Sequence, residues 1–345
     1  MKKKKSFNNR WESDAFNNTN QSNQIYKDSK NKLIILPHDK TGWRSKPNQK
    51  YKTISINKNG LRNEDIGTLD KNKKNCLLIG GSVAWGFGAS SNEKIPSALI
   101  EKTLKNDYKI NMNVINLAEL GYNSAQELDS FIFSYHDLKP SMVIILSGVN
   151  DIVLEEDDDF EKNGQFELIN AYLWMKKLGI FREKSFIKFA IKCLMRWFKK
   201  DEKINPEYFY LNRPNKGEIA NFLYNRKNDF IKTFCEQKKI AVYNFLQPDL
   251  FFKNKKSNYE LKYMEYLSNY GSEFLSDKIE KLNNWIKDEN NNTNYFKNIS
   301  LLDCFDKNEE TIFFDRTHFT DKGNEIISRR ICASIYNNYI KLSNL

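Results

Sequence analysis

The chain has 345 residues, of which 40% are apolar and 29% charged, and its formal net charge is +11. This apolar fraction is large enough to build a core and excludes a wholly disordered chain. The basic excess fits a solvated surface, and since no helix-turn-helix, zinc-finger or RNA-binding signature accompanies it, no nucleic-acid partner is expected.

Short apolar runs alternate with helical segments from residue 76 onward. Strands are predicted at 77–79, 113–117, 142–146, 240–245 and 299–302, and helices at 95–104, 124–138 and 321–340. Continuous apolar strands between helices are typical of a parallel sheet covered on both faces. The pattern therefore predicts an α/β fold, a doubly wound sheet whose functional sites lie at the carboxyl ends of its strands.

Three polar segments interrupt or precede this pattern. Residues 1–75 are rich in Asn and Lys and are predicted to be an N-terminal extension, followed by a domain over 76–345 with insertions at about 154–237 and 252–298. Within the first insertion, Tyr172–Lys200 is basic and aromatic. It fits a lid, a helix on a membrane surface or a helix packed on the sheet, and the pattern favours the packed helix.

Cysteines and histidines are too scattered to indicate a disulfide framework or a metal site. The five cysteines lack Cys-x-x-Cys spacing, which is typical of free thiols in a reducing compartment. With three histidines in the chain, no metal site is expected. The N-terminal lysines are not followed by an apolar stretch, and no run is long enough for a membrane-spanning helix. The protein is therefore expected to be cytoplasmic.

Polar residues form four blocks at or beyond predicted strand ends. The blocks are Gly80-Gly81-Ser82, Glu119-Leu120-Gly121-Tyr122, Ser147-Gly148-Val149-Asn150-Asp151 and Asp315-Arg316-Thr317-His318. The carboxyl ends of parallel strands meet at one edge of a sheet, so the blocks are expected to lie together. Taken singly, each block has a structural interpretation, such as a helix cap for Ser82 or a turn for Gly121. Their combination in this order indicates catalysis.

The residue types of these blocks match the parts of a nucleophilic site. A serine hydroxyl becomes a nucleophile when an imidazole accepts its proton, which assigns Ser82 and His318 to those roles. Asp315 can reach the other ring nitrogen and fix the tautomer of the histidine. The oxyanion that forms on an attacked carbonyl needs preorganised donors. The backbone N–H groups of Ser82 and Gly121 and the side-chain amide of Asn150 can supply them.

The set Ser82, Gly121, Asn150 and His318, in this order, resembles the SGNH (GDSL-like) hydrolase superfamily over roughly residues 76–151 and 299–341. The resemblance implies a flavodoxin-like three-layer α/β/α fold with a mostly parallel five-stranded sheet. It also implies hydrolysis of esters or thioesters without a metal or organic cofactor. The family's first block usually reads Gly-Asp-Ser, and Gly81 replaces that aspartate here. The Gly-x-Ser-x-Gly elbow of the α/β-hydrolases is absent, which disfavours that fold.

Two further residues are candidates for substrate binding. Trp85, like Phe87, follows the serine block and either walls an acyl pocket or packs beneath the turn. Gln247 follows the fourth predicted strand and so points to the same edge of the sheet, although a strand-ending turn explains it equally well. The other two histidines, His38 and His136, have no comparable context and are expected to be structural or exposed.

The sequence thus predicts a serine esterase that forms an acyl-enzyme with a small-molecule or glycan ester. An O-acetyl group on a sugar or surface glycan is the preferred substrate, by family analogy. A lipid-directed esterase and a glycan O-acyltransferase are alternatives with the same machinery, and the basic aromatic segment at 172–200 would give the former a contact with a membrane surface. A non-catalytic glycan-binding protein on the same fold is the alternative from a different class, and the intact Ser/Gly/Asn/His set argues against it.

Overall fold

A five-stranded sheet lies at the centre of the structure, a computed structural model that describes residues 13–16, 19–154, 219–269 and 274–343. The strands are β1 (Ile35–His38), β2 (Gly42–Ser45), β3 (Gln49–Lys50), β4 (Ser55–Ile56), β5 (Lys74–Gly80), β6 (Met112–Asn116), β7 (Met142–Ser147), β8 (Ala241–Leu246) and β9 (Phe296–Ser300). The α-helices are α1 (Thr19–Tyr26), α2 (Ser82–Trp85), α3 (Pro96–Tyr108), α4 (Ser124–Leu138), α5 (Val149–Leu154), α6 (Ile219–Gln237), α7 (Asn258–Ser268), α8 (Phe274–Lys287) and α9 (Asp321–Ser343).

The central sheet is parallel and has the strand order β6-β5-β7-β8-β9. Numbered from its first strand, this is the flavodoxin-like order 2-1-3-4-5. The predicted α/β class with a five-stranded parallel sheet is therefore confirmed. Since Gly80 pairs with Leu146, and Ser147 with Leu246, the loops that leave these strands emerge at one edge of the sheet.

Alternate side chains of β5 enter two different cores, which makes the fold three-layered. Cys76 and Leu78 belong to a buried cluster that includes apolar residues of α3 and α9. Leu77 and Ile79 belong to a second cluster, with residues of α4 and α6. Each strand residue of this run is 0% exposed, so both faces of the strand are covered and the sequence reads as a continuous apolar run.

The last strand lies earlier in the chain than predicted. The apolar run suggested 299–302, whereas β9 spans Phe296–Ser300 and Leu301 and Leu302 follow it. β9 is an edge strand, paired on one side with β8. An edge strand keeps polar residues such as Lys297 and Asn298, so an apolar run marks its position poorly.

Residues before β5 form two short antiparallel hairpins, β1–β2 and β3–β4. Ile35, Trp43 and Ile56 of these hairpins are buried in the first core cluster. Arg62 is also buried, and its guanidinium donates to the carbonyl oxygens of Thr53 at 2.8 Å and Gly86 at 2.7 Å. The segment is thus packed onto the loop that follows α2, while the domain boundary at residue 75 stays a prediction.

The two predicted insertions are represented by helices in the described part of the chain. α6 lies at the end of the first insertion, and α7 and α8 lie in the second. The segment Tyr172–Lys200 lies outside the described residues, so its assignment as a lid, a membrane-surface helix or a packed helix stays a prediction. Among the helices that are described, none is both long enough and apolar enough to cross a membrane.

Candidate active site

The structure brings Ser82 and His318 together although 236 residues separate them. Ser82 is the first residue of α2, directly after the turn that ends β5. Its Oγ lies 2.6 Å from Nε2 of His318. The other ring nitrogen, Nδ1, lies 2.9 Å from both carboxylate oxygens of Asp315. A carboxylate can only accept, so it assigns the Nδ1–H tautomer and leaves Nε2 to accept the proton of Ser82.

A tight loop between β9 and α9 presents Asp315 and His318. Asp315 Oδ1 accepts hydrogen bonds from the backbone N–H groups of Thr317 at 3.0 Å and His318 at 2.8 Å. An antiparallel bridge between Phe313 and Phe319 closes the base of the loop. The same carboxylate therefore shapes its loop and holds the imidazole, which fixes the distance between the two side chains.

Two buried ion pairs anchor this loop from the outside. Arg316 Nε donates to Asp249 Oδ2 at 3.0 Å, and the N–H of Leu250 donates to Arg316 O at 2.9 Å. Lys253 and Glu260 form the second pair, in which both side chains are 0% exposed. Glu260 Oε1 also accepts from the backbone N–H groups of residues 312 and 313, at 2.9 and 3.0 Å. The charges are compensated by these bonds, as buried ion pairs require.

The further donors predicted for an oxyanion lie in the loop after β6 and at the start of α5, which follows β7. Gly121 has φ +76°, a left-handed conformation that glycine adopts without strain. Asn150 lies in α5, and its Nδ2 donates to the carbonyl oxygen of Tyr122 at 2.8 Å. An amide nitrogen carries two protons, so this bond orients the group and leaves the second proton for another acceptor. The Asn150 side chain thus contacts the Gly121 loop.

Gly81 lies directly against the amide of Asn150. A Cβ atom on residue 81 would be 2.4 Å from Asn150 Nδ2 and 3.2 Å from the carbonyl oxygen of Tyr122. Ordinary contacts between such atoms are about 3.5 Å or longer. The glycine that departs from the Gly-Asp-Ser pattern therefore provides the space in which the Asn150 amide lies.

A buried cluster of charges lies behind Asn150. Lys227 Nζ is 2.7 Å from Glu127 Oε2, with side-chain exposures of 0% and 1%. The neighbouring Asp151 carboxylate accepts from the N–H and the hydroxyl of Ser124, at 2.9 and 2.8 Å. One cation thus faces two carboxylates, and burial together with the charge of Glu127 raises the pKa of Asp151 to about 6. The cluster fixes the start of α5 and with it Asn150.

The two candidate substrate-binding residues are both buried. Trp85 is 1% exposed and has the Arg62 guanidinium 4.4 Å from its ring centroid, so it packs beneath the serine turn and has almost no surface to offer a ligand. Gln247, after β8, is 4% exposed. Phe87 instead packs edge-on against the His318 ring, with centroids 4.8 Å apart. In the described part of the chain, no group of three or more His, Cys, Asp or Glu side chains could hold a metal ion.

Sequence reasoning missed the residues that support the site. Arg316 could have been predicted from the sequence, because it lies inside the Asp315–His318 block. Glu127 and Lys227 are 100 residues apart and have no common motif, so only the fold pairs them. The β1–β2 hairpin was missed as well. The apolar run Leu33-Ile34-Ile35-Leu36 was a local signal for its first strand, but it lies within the Asn- and Lys-rich residues 1–75.

The residues of the four blocks and their order resemble those of the SGNH (GDSL-like) hydrolases. No protein-family model matches the chain, and no curated protein matches its sequence. Among solved structures, it is similar to Axe2, an acetylxylan esterase from Geobacillus stearothermophilus, with 13% identity, a TM-score of 0.38 and coverage of 76% of this chain and 94% of that one. A lipolytic protein of the G-D-S-L family from Desulfitobacterium hafniense has 11% identity, a TM-score of 0.39 and coverage of 76% and 99%. LAE5, an alpha/beta hydrolase enzyme from the metagenome of Lake Arreo, has 12% identity, a TM-score of 0.40 and coverage of 76% and 94%.

Proposed function

We propose that this protein is a serine esterase that hydrolyses a small O-acyl ester. The observation that carries the proposal is the continuous hydrogen-bonded chain from Ser82 Oγ through His318 to Asp315, with distances of 2.6 and 2.9 Å. The nucleophile lies 236 residues before the base in the sequence, and the base is three residues from its carboxylate. Such a chain of hydrogen bonds activates a serine hydroxyl for attack. The position of the Asn150 amide beside Gly81 supports the proposal, because an amide N–H there could donate to the charge that develops on the substrate.

The reaction follows from these positions. Ser82 Oγ attacks the acyl carbonyl while His318 Nε2 takes its proton, and Asp315 stabilises the resulting imidazolium. The N–H groups of Ser82 and Gly121 and the amide of Asn150 donate to the oxyanion. The tetrahedral intermediate collapses, the alcohol leaves with the proton from His318, and an acyl-enzyme remains. Water then attacks with His318 again as the base, and releases the acid and Ser82.

An acetyl ester on a sugar or surface glycan is the substrate class that we favour. The preference rests on the family resemblance of the four blocks. Transfer of the acyl group to a sugar hydroxyl instead of water would use the same acyl-enzyme, and analysis of products in the presence of sugar acceptors separates transfer from hydrolysis. Free acid alone supports the esterase.

The test compares the wild type with Ser82→Ala on p-nitrophenyl esters of increasing acyl length. Ser134→Ala, on α4, is a matched control outside the site. We expect Ser82→Ala to lose at least about 10³-fold in kcat, and the wild type to favour the shortest acyl chains. A fluorophosphonate should add its mass to the wild type and the control, and not to Ser82→Ala. Equal turnover by wild type and Ser82→Ala would overturn the proposal and favour a non-catalytic glycan-binding protein, and a preference for long chains would favour a lipid substrate.

A further inference from the structure

The peptide unit between Leu120 and Gly121 is held by a side chain of the β1–β2 hairpin. Its carbonyl oxygen, on Leu120, accepts a hydrogen bond of 2.8 Å from the indole N–H of Trp43. Its N–H belongs to Gly121 and is one of the proposed oxyanion donors. In a trans peptide the C=O and N–H point in opposite directions, so a bond that fixes one end fixes the direction of the other.

The hairpin that carries Trp43 is fastened to the same loop at two more points. Glu119 is 1% exposed, and its carboxylate joins the two segments by accepting from the N–H of Ser45 at 2.6 Å and from that of Leu120 at 2.8 Å. On the far side of Gly121, the hydroxyl of Tyr122 lies 2.7 Å from both Thr41 Oγ1 and the carbonyl oxygen of residue 43. The β1–β2 hairpin thus contacts the loop before and after the glycine.

We propose that Trp43 is a positioning residue for the oxyanion hole, acting through the Leu120–Gly121 peptide. The proposal rests on the proposed esterase function of Ser82. Trp43 is 7% exposed and its ring packs edge-on against Tyr122, with centroids 5.8 Å apart, so the indole is held in place before substrate arrives. It does not touch the reacting atoms and contributes only through the peptide that it orients.

Two effects of the indole bond reach the Gly121 N–H. The bond limits rotation of the peptide plane, and left-handed backbone at Gly121 makes that rotation otherwise easy. A donor on the carbonyl oxygen also polarises the amide, which strengthens the N–H as a donor. Both effects matter most when charge develops on the substrate oxygen, so they act on kcat rather than on KM.

The test is Trp43→Phe, which keeps a ring and removes the N–H. Trp285→Phe is the matched control, because it makes the same change in α8, where the ring packs edge-on against Tyr224 with centroids 5.9 Å apart. We expect Trp43→Phe to lower kcat by about 10- to 100-fold with KM within about twofold, since a donor would be misdirected rather than removed. Replacement of Trp43 by benzothienylalanine keeps the volume of the indole without its N–H and should give the same loss, which separates the bond from packing.

A second readout follows the oxyanion directly. Each variant is assayed on an aryl ester and on the thionoester with sulfur in place of the carbonyl oxygen. Sulfur accepts hydrogen bonds weakly, so a misdirected donor should lower the rate on the ester more than the rate on the thionoester. The ester rate divided by the thionoester rate should therefore fall several-fold. The inference would be overturned if both Trp43 variants had the same kcat and the same ester-to-thionoester rate ratio as Trp285→Phe. Loss of activity in Ser82→Ala alongside that result would leave the esterase intact, whereas turnover by Ser82→Ala would remove the esterase itself.

Discussion

Replacing Gly81 by alanine should disable the Asn150 amide without changing the side chains of Ser82 or His318. The new Cβ would lie 2.4 Å from Asn150 Nδ2, and an ordinary contact needs about 3.5 Å, so the amide must retreat by about 1 Å. Loss of one oxyanion donor costs about 2.7–4 kcal/mol of transition-state stabilisation, or about 10²- to 10³-fold in kcat. We expect Gly81→Ala to lower kcat by about 10²-fold, with little change in KM. Gly81→Asp, which introduces the residue usual at this position in the SGNH hydrolases that the blocks resemble, should lower kcat further.

Steady-state hydrolysis of a short aryl ester measures this effect. Gly67→Ala is the matched control, because its Cβ would meet only the mobile end of Lys58 at 3.3 Å. A double-mutant cycle with Asn150→Ala tests whether Gly81→Ala acts through the Asn150 amide. If it does, the double variant should be no slower than Asn150→Ala alone. A kcat for Gly81→Ala within about threefold of the control would refute the reasoning, and so would additive losses in the double variant.

Two further predictions concern the carboxylate of Asp315, in the site, and that of Asp151, behind Asn150. In Asp315→Asn, the amide N–H would face Nδ1 of His318 and favour the tautomer with the proton on Nε2, so kcat should fall by about 10⁴-fold; turnover within tenfold of wild type would assign the orienting role to another group. The pKa of Asp151 is raised from 3.8 to about 6, so the folded protein binds a proton that the unfolded chain releases between these values, and stability should decrease as the pH rises through that window. Urea unfolding of Asp151→Asn should show a weaker decrease from about pH 4 to pH 6 than wild type, and an unchanged slope would contradict the assignment.

The parts of the fold that could be predicted are those with a local signal. α4 spans Ser124–Leu138 as predicted, because Asn123 and Gln126 form a capping box at its start and Pro140 follows its end. β7 follows from its apolar run, since a strand buried on both faces is typically a nearly continuous run of apolar residues. β9 was misplaced because an edge strand lacks this signal. Boundaries thus followed from the sequence where caps or burial mark them.

The candidate site was accessible to prediction for a topological reason. Ser82 and His318 are 236 residues apart, yet each follows a strand of the same sheet, and the carboxyl ends of parallel strands share one edge. Trp43 lies 77 residues before Leu120 in a segment of polar composition, and no rule of strand order places it. Knowledge of the sheet therefore brings the reacting groups together, while the groups that orient them depend on packing that composition does not encode.

Three of the four blocks of the site are held by hydrogen bonds to atoms that take no part in the proposed reaction. The Gly121 loop is held at a carbonyl oxygen by Trp43, and the Asp315–His318 loop at the guanidinium of Arg316 by Asp249. The start of α5 is held at the Asp151 carboxylate by Ser124. A loop is otherwise the most mobile part of a fold, and a misplacement of about 1 Å costs about 10²-fold in rate. The buried polar groups around this edge therefore restrict the motion of the loops, as the backbone hydrogen bonds of the sheet restrict that of the strands. Less conformational entropy is then lost when the reacting atoms reach the transition state.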